Sequence, residues 1–369
     1  MSDMIVANTA HKLIKKTLEI VIKEGYETKV WGGTIPNQIG DKGAPCDFSR
    51  EMIEHPPGLT LKLTNPLARW SDYSDHYVGI TLTETEDSFQ RYNPGNVIRY
   101  SKLYPHWQED NGKFNYTYGE RIAGYPYVNG DWNYLDQMSY TIARLKKHPS
   151  TRKACISTWY PPNDLTNDYV PCNMVFQLRV VDGKLDWITV IRSLDVLRGL
   201  TENIFMFTMW QEYASSQLGV PLGNYYTVAL NPHVYKEQID KGLHIQRVTE
   251  PYHPAHPCEA FRYPFPSKEF AYIDSLMFNH ENYIEAHSHI SSLPKFWKNW
   301  KLTLLVDWLR LEGHYELATD YASELTGVFK FPTYRRLIRK YPECFKNAKI
   351  PSIQKRVLDA ELMDRRIKH

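Results

Sequence analysis

Apolar side chains between Ala7 and Lys23 recur at helical spacing through His11, Leu13, Ile14, Leu18, Ile20, Val21 and Ile22 and stop near Gly25, which predicts one helix. Trp31 to Pro57 is rich in Gly, Pro, Asn and Asp and reads as loop. Leu59 to Leu63 alternates as a half-buried strand should, and the run Gly79-Ile80-Thr81-Leu82-Thr83-Glu84-Thr85-Glu86 has strand-like composition. Tyr134 to Lys147 predicts an amphipathic helix through Leu135, Met138, Ile142 and Leu145, followed by a loop after Pro149 and the apolar segment Ala154 to Trp159. Met174 to Val181 alternates again. Asn203 to Leu218 is apolar through Ile204, Phe207, Trp210, Ala214 and Leu218, a second helix broken by Pro221 and Gly223, and Tyr225 to Leu230 is β-rich. Strands and helices in this order predict an α+β fold with a mostly antiparallel or mixed sheet.

The character changes beyond Gln238. Pro251 to Pro266 is a proline-punctuated loop, Phe296 to Leu325 holds two helical patterns meeting near Gly313, Thr333 to Lys340 begins a basic helix, and the chain ends in a charged helical tail. We therefore expect one domain over residues 1–290 and an added helical region over residues 291–369. No internal repeat is visible.

Composition adds exclusions. At 369 residues the chain can bury a sizeable core, and its formal net charge of +2 does not call for a nucleic acid or an anionic membrane. The absence of a signal-like N-terminus or a membrane-length apolar run leads us to expect a cytoplasmic protein. Five scattered cysteines fit a reducing compartment better than a disulfide scaffold. The abundant aromatic residues suit a core or flat ligands equally. His253, His256 and Cys258 have ligand chemistry but lack a fourth partner at zinc spacing, so we expect no metal. Arg335, Arg336, Arg339 and Lys340 read as a solvated basic helix face, and Trp308 as core.

The candidate chemistry concentrates between Val170 and Ile204. Val170-Pro171-Cys172-Asn173, Phe176-Gln177-Leu178, Arg192-Ser193-Leu194-Asp195, Gly199 and Asn203-Ile204 place a thiol near a fixed cation, a hydroxyl and an amide. A thiolate is the nucleophilic form of cysteine, and a neighbouring guanidinium favours it.

This stretch resembles the thymidylate synthase family, which includes nucleotide hydroxymethylases. The resemblance extends from about Tyr104 to Gln238 through Trp107, Tyr118-Gly119, Asp136-Gln137, Pro149, Thr151-Arg152-Lys153, Ser157-x-Trp159 and His233-Val234-Tyr235. It implies attack of Cys172 on C6 of a uracil ring, with 5,10-methylenetetrahydrofolate as cosubstrate. Glu84, with Glu86 as second choice, would organise proton transfers together with Tyr118 and Asp195. Arg192 and Ser193 would hold the substrate phosphate, with Arg152 and Lys153 reaching the phosphate of a homodimer partner. Gln177 and Asn203 would bind the nucleotide, His233 and Tyr235 the sugar hydroxyl. Tyr104, Trp107 and Asp195 would face the folate. A further phosphate cation is expected upstream, with Lys29, Lys42 and Arg50 as candidates. Asn203 favours dUMP over dCMP, because a carboxamide matches the N3-H and O4 of uracil; as an Asn it also suits a helix N-cap.

Departures from the family pattern fall near the base and cofactor. Asn173 stands where His is usual, Thr201-Glu202 where Pro-Phe is usual, Tyr104 at a Trp position and Asn231-Pro232 where Asp-Thr is usual. Polar Asn173 and Glu202 could retain a water, which points to a 5-hydroxymethyl product rather than thymidylate. Such a product would suit a phage that modifies its DNA.

Overall fold

The structure is a computed structural model that describes residues 4–31, 49–55, 58–71, 78–90, 95–101, 104–108, 111–128, 132–167, 169–248, 266–279 and 281–340. The chain divides into two compact units, one of Met1–Tyr73 with Glu84–Gln246 and one of Ser74–Thr83 with Arg247–His369.

The strands run β1 (Ile5–Ala7), β2 (Tyr26–Trp31), β3 (Ser49–Glu54), β4 (Leu59–Leu63), β5 (Tyr125–Val128), β6 (Trp132–Leu135), β7 (Cys155–Ser157), β8 (Asn173–Val181), β9 (Lys184–Ile191), β10 (Leu194–Asp195), β11 (Leu222–Ala229) and β12 (Pro232–Tyr235). A six-stranded sheet has the order β1-β4-β11-β9-β8-β7. It is mixed: β1 lies parallel to β4 and β11 to β9, and the remaining pairs are antiparallel. A smaller sheet has the order β10-β12-β3-β2, and β5 pairs with β6.

The helices are α1 (Ala10–Glu24), α2 (Val78–Gln90), α3 (Val97–Tyr100), α4 (Tyr118–Ala123), α5 (Gln137–Lys147), α6 (Pro161–Asp164), α7 (Gly199–Leu218), α8 (Lys236–Val248), α9 (Ser267–Phe278), α10 (Tyr283–Ser292), α11 (Lys295–Leu311), α12 (Tyr315–Ser323) and α13 (Gly327–Lys340). The observed α+β architecture with a mixed sheet agrees with the expectation.

α7 is the central element of the first unit. Its buried residues lie all round the helix, so it has little amphipathic contrast and can be stable only inside a core. Phe207 meets Phe176 of β8 at 4.6 Å between ring centroids, and Phe176 in turn meets Trp187 of β9 at 5.1 Å. All three rings are fully buried, each contributing about 1.5–3 kcal/mol of transfer free energy. The helix ends at Gly219, whose φ of 69° is the left-handed conformation that a glycine cap adopts without strain.

Several sequence expectations need correction. Tyr77–Phe89 is not a strand: residues from Val78 onward form α2, where the Thr83 hydroxyl donates to the Gly79 carbonyl at 2.6 Å. This bond to the preceding turn satisfies a polar threonine within a helix. Residues 49–54, expected in a loop, form β3 between β2 and β12. The second helix begins at Gly199, so Asn203 lies inside it and is not its N-cap. α13 starts at Gly327, ahead of the expected Thr333.

In the second unit α11 is the buried core helix. Lys301, fully buried, donates to Asp274 at 2.6 Å and lies 4.4 Å from the Phe270 ring centroid. Gly313, with φ +86°, turns the chain between α11 and α12 where the two helical patterns were expected to meet. Trp308 is half-buried, its ring 5.0 Å from that of Phe278. Residues 249–265, including His253, His256 and Cys258, and the charged tail lie outside the described residues.

Candidate active site

Cys172 sits on the bend that leads into β8, and three side chains fix that bend. Arg192, which follows β9, donates from Nε to the Pro171 carbonyl at 3.1 Å and from Nη2 to the Val170 carbonyl at 3.3 Å. Trp159 Nε1 donates to the same Pro171 carbonyl at 3.0 Å. The Tyr118 hydroxyl accepts the Asn173 N–H at 3.3 Å. The backbone joins in, with the Arg192 N–H donating to the Cys172 carbonyl at 2.9 Å. Arg192 Nη2 lies 4.0 Å from the Cys172 sulfur.

The β8–β9 register slips between Asn173 and Val175. One extra residue shifts the two-residue alternation of the strand, so Asn173 and Phe176 are both buried despite their odd spacing. Asn173 is thereby turned inward beside the thiol. Its Nδ2 donates to Asn203 Oδ1 at 3.5 Å, while its own Oδ1 is buried without a protein partner.

Tyr118 is placed by α4. Thr117 caps that helix by accepting the Glu120 N–H at 3.2 Å, and Arg121 forms a buried two-point pair with Asp164 at 2.8 and 3.3 Å. Such a fork fixes orientation as well as distance. The Tyr118 ring packs edge-on against Phe207 at 5.3 Å. Gly119 brings the backbone close to α2: a Cβ there would lie 2.4 Å from the Ser88 carbonyl oxygen.

Cys172, Arg192, Tyr118 and Glu84 line one cavity, of about 250 Å³, together with Asp87, Tyr104, Phe114, Tyr116, Tyr169 and Met206. Glu84, the first choice of the two candidate glutamates, therefore reaches the thiol's cavity from α2. Glu86 is also buried and accepts from Gln90 Nε2 at 3.0 Å.

Burial dominates the electrostatics of this cavity. It pushes the Cys172 thiol up; Arg192 pulls the thiol down and Asp195 pushes it up again. The expected activation by Arg192 is thus present but outweighed by desolvation. Glu84 is held well above the usual carboxylate range by burial and by the charge of Glu202, against a hydrogen bond with Tyr104. Glu202 is pushed up to about 7 by burial, with Arg198 opposing and Asp195 adding to the shift. The hydroxyls of Tyr104, Tyr116 and Tyr118 are all raised by burial.

Other expected residues stand elsewhere. Asp195 Oδ1 accepts the N–H groups of Leu197 and Arg198 at 2.9 and 3.1 Å and organises the approach to α7. Its β10 position pairs with His233 on β12, whose ring lies 5.2 Å from that of Tyr235. Ser193 is half-buried beside Arg192. Gln177 spends its Nε2 on the Arg152 carbonyl at 2.9 Å, and Arg152 and Lys153 are exposed. Among the described residues, none of Gln177, Arg152, Lys153, His233 and Tyr235 lines the cavity. Trp107 ends the 3-10 turn Tyr104–Trp107, and its side chain lies outside the described residues. Lys29 on β2 is exposed, 3.8 Å from Glu51; Lys42 and the side chain of Arg50 are outside the described residues.

A family model described as "Thymidylate synthase" matches residues 86–291. The chain belongs to the thymidylate synthase family. Three Methanosarcina proteins carrying the description "Putative thymidylate synthase" are similar to it. The M. barkeri protein is 31% identical over 133 residues, 36% of this chain and 58% of that protein. The M. acetivorans protein is 34% identical over 128 residues, 34% of this chain and 56% of that protein. The M. mazei protein is 34% identical over 127 residues, with the same coverage. The matched region thus spans little more than half of each relative. The solved thermostable thymidylate synthase A from Bacillus subtilis aligns with 18% identity and a TM-score of 0.45, over 64% of this chain and 84% of that one.

Sequence reading missed Tyr116, which hydrogen-bonds with Tyr118 and lines the cavity, and Asp87, which accepts the Asn96 and Val97 N–H groups at 3.2 Å each. The Tyr116-x-Tyr118 spacing was the one available signal for the first. Nothing in the sequence distinguished Asp87.

Proposed function

We propose that this protein transfers a one-carbon unit to C5 of dUMP and releases 5-hydroxymethyl-dUMP, with Cys172 adding to C6 of the base. The observation that carries this reading is the meeting of Cys172, Arg192, Tyr118 and Glu84 around one cavity. Addition of sulfur at C6 converts C5 into a carbon nucleophile, and a buried carboxyl is suited to moving the protons that follow. Asn203, joined to Asn173, offers a carboxamide to the base and favours uracil over cytosine.

The lining suits a folate. Tyr104, Phe114, Tyr116 and Tyr169 supply flat apolar surface against which a pterin can lie. Bound methylenetetrahydrofolate would supply the one-carbon unit at the oxidation level of formaldehyde. The exposed Arg152 and Lys153 would meet a nucleotide in the partner's site of a homodimer. Pro171, Trp159 and Arg192 hold the nucleophile where it is needed.

The hydroxymethyl product is favoured over thymidylate because polar Asn173 and Glu202 stand where the family pattern has His and Phe, and such side chains can retain a water. Thymidylate formation is the competing reading, supported by the description of the Methanosarcina relatives. A nucleic-acid-binding role through the basic C-terminal part is disfavoured, since Arg336 is 9% exposed and lies 2.9 Å from Asp307.

Release of tritium from the C5 position of labelled dUMP tests the reading. We expect release that requires methylenetetrahydrofolate and disappears in Cys172→Ser, with dCMP a poor substrate. Absence of release from a nucleotide-binding protein would refute it.

A further inference from the structure

Glu202 has so far been given only a polar side chain that retains a water and no proton-transfer step, yet its position is specific. It stands four residues before Met206 on α7, so the two side chains share a helix face, and Met206 lines the cavity with Glu84 and Cys172. Its neighbour Asn203 holds Asn173 beside the thiol. The groups that act on Glu202 and Glu84 come from every side: Arg198 and Asp195 from the approach to α7, Tyr104 from the 3-10 turn, and Asp87 from α2. Two buried acceptors in this corner, Glu84 Oε2 and Asn173 Oδ1, have no protein donor. A water molecule can supply the missing O–H group to each, which is how unpaired buried acceptors are ordinarily satisfied.

We propose that Glu202 is a catalytic base that takes the proton of a water adding to the exocyclic carbon at C5. This rests on the hydroxymethyl reading above and extends it to a residue. In the step, a lone pair of the water oxygen forms the C–O bond as the exocyclic C=C pair moves to C5–C4 and the carbonyl pair to O4. The water proton passes to the Glu202 carboxylate. The enolate then collapses, the C5–C6 double bond re-forms, and Cys172 leaves C6 as thiolate. Burial and the charge of Glu202 hold the Glu84 proton, so that Glu84 remains an acid while Glu202, pushed up to about 7 by burial, is the one that ionises and accepts.

The test needs no folate. Cys172 addition to 5-hydroxymethyl-dUMP, followed by loss of the hydroxyl as water with its proton returned by Glu202, reverses the step, so incubation in ¹⁸O-water should place ¹⁸O in the hydroxymethyl group. Debromination of 5-bromo-dUMP by added thiol reports addition of Cys172 alone. We expect both reactions in the wild-type protein. Glu202→Gln should debrominate within about threefold of wild type but exchange ¹⁸O about a hundredfold more slowly, without the fall in exchange above about pH 7 that ionisation of the Glu202 carboxyl confers. Exchange in Glu202→Gln at the wild-type rate overturns the role of Glu202 and leaves the underlying reading standing. Debromination without any ¹⁸O exchange in wild type overturns both the water step and Glu202. Absence of debromination in wild type overturns the cysteine chemistry itself.

Discussion

Replacing Arg192 by Gln separates the charge of this residue from its bulk. At 4.0 Å from the Cys172 sulfur, a full charge attracts a thiolate by about 4 kcal/mol at an effective dielectric of about 20. Arg192 is half-buried and therefore partly screened, which leaves about 1–3 kcal/mol. The sign is fixed: the guanidinium lowers the thiol, so its removal adds to the upward push of burial. Alkylation of Cys172 by iodoacetamide, followed against pH by mass analysis of the peptide that carries Cys172 because the chain has four other cysteines, should shift to higher pH. At fixed pH below the midpoint the rate should fall about ten- to a hundred-fold. Arg192→Lys keeps a charge but cannot reach the Val170 and Pro171 carbonyls as a fork, so it should restore part of the shift while leaving the loop poorly held. A Gln variant whose profile superimposes on that of the parent would refute the electrostatic role of Arg192.

Three further outcomes follow from the geometry. Tyr118→Phe leaves the Asn173 N–H without its acceptor and should cost about 1–3 kcal/mol in urea unfolding, with slower C5 tritium release. Gly119→Ala should destabilise by about 1–3 kcal/mol, because the added Cβ meets the Ser88 backbone rather than a side chain that can rotate away. Glu202, raised from 4.5 to about 7, destabilises the fold once the unfolded chain has ionised it, so wild-type stability should fall as pH rises between about 4.5 and 7. Glu202→Gln should lose that slope and gain on the order of 2 kcal/mol relative to wild type above pH 7; equal stability of the two proteins at pH 8 would contradict the burial of this carboxyl.

Much of the scaffold was legible because its periodicity is local. α1, β4 and β8 fall close to the patterns that announced them, since each buries a single face. α2 was not legible: Ile80, Thr81, Thr83 and Thr85 are β-branched, and the tertiary setting overrides their preference. β3 was hidden by the glycine- and proline-rich stretch before it and acquires its pairing from β2 across that stretch and from the distant β12. At the site, the motif residues Cys172, Arg192, Tyr118 and Glu84 do converge. The balance of forces on them was out of reach, because the sequence displays a cation near a thiol but not the depth at which both are buried. The facing of Glu84 and Glu202 depends on α2 and α7, over a hundred residues apart in sequence, and no spacing rule connects them.

The central claim is tested most directly by the mass of the nucleotide formed from dUMP and methylenetetrahydrofolate, with absorbance followed for dihydrofolate. The account predicts a product heavier by one CH2O unit, no dihydrofolate, and no product from Cys172→Ser. A product heavier by one CH2 unit, with dihydrofolate accumulating in step, would contradict it.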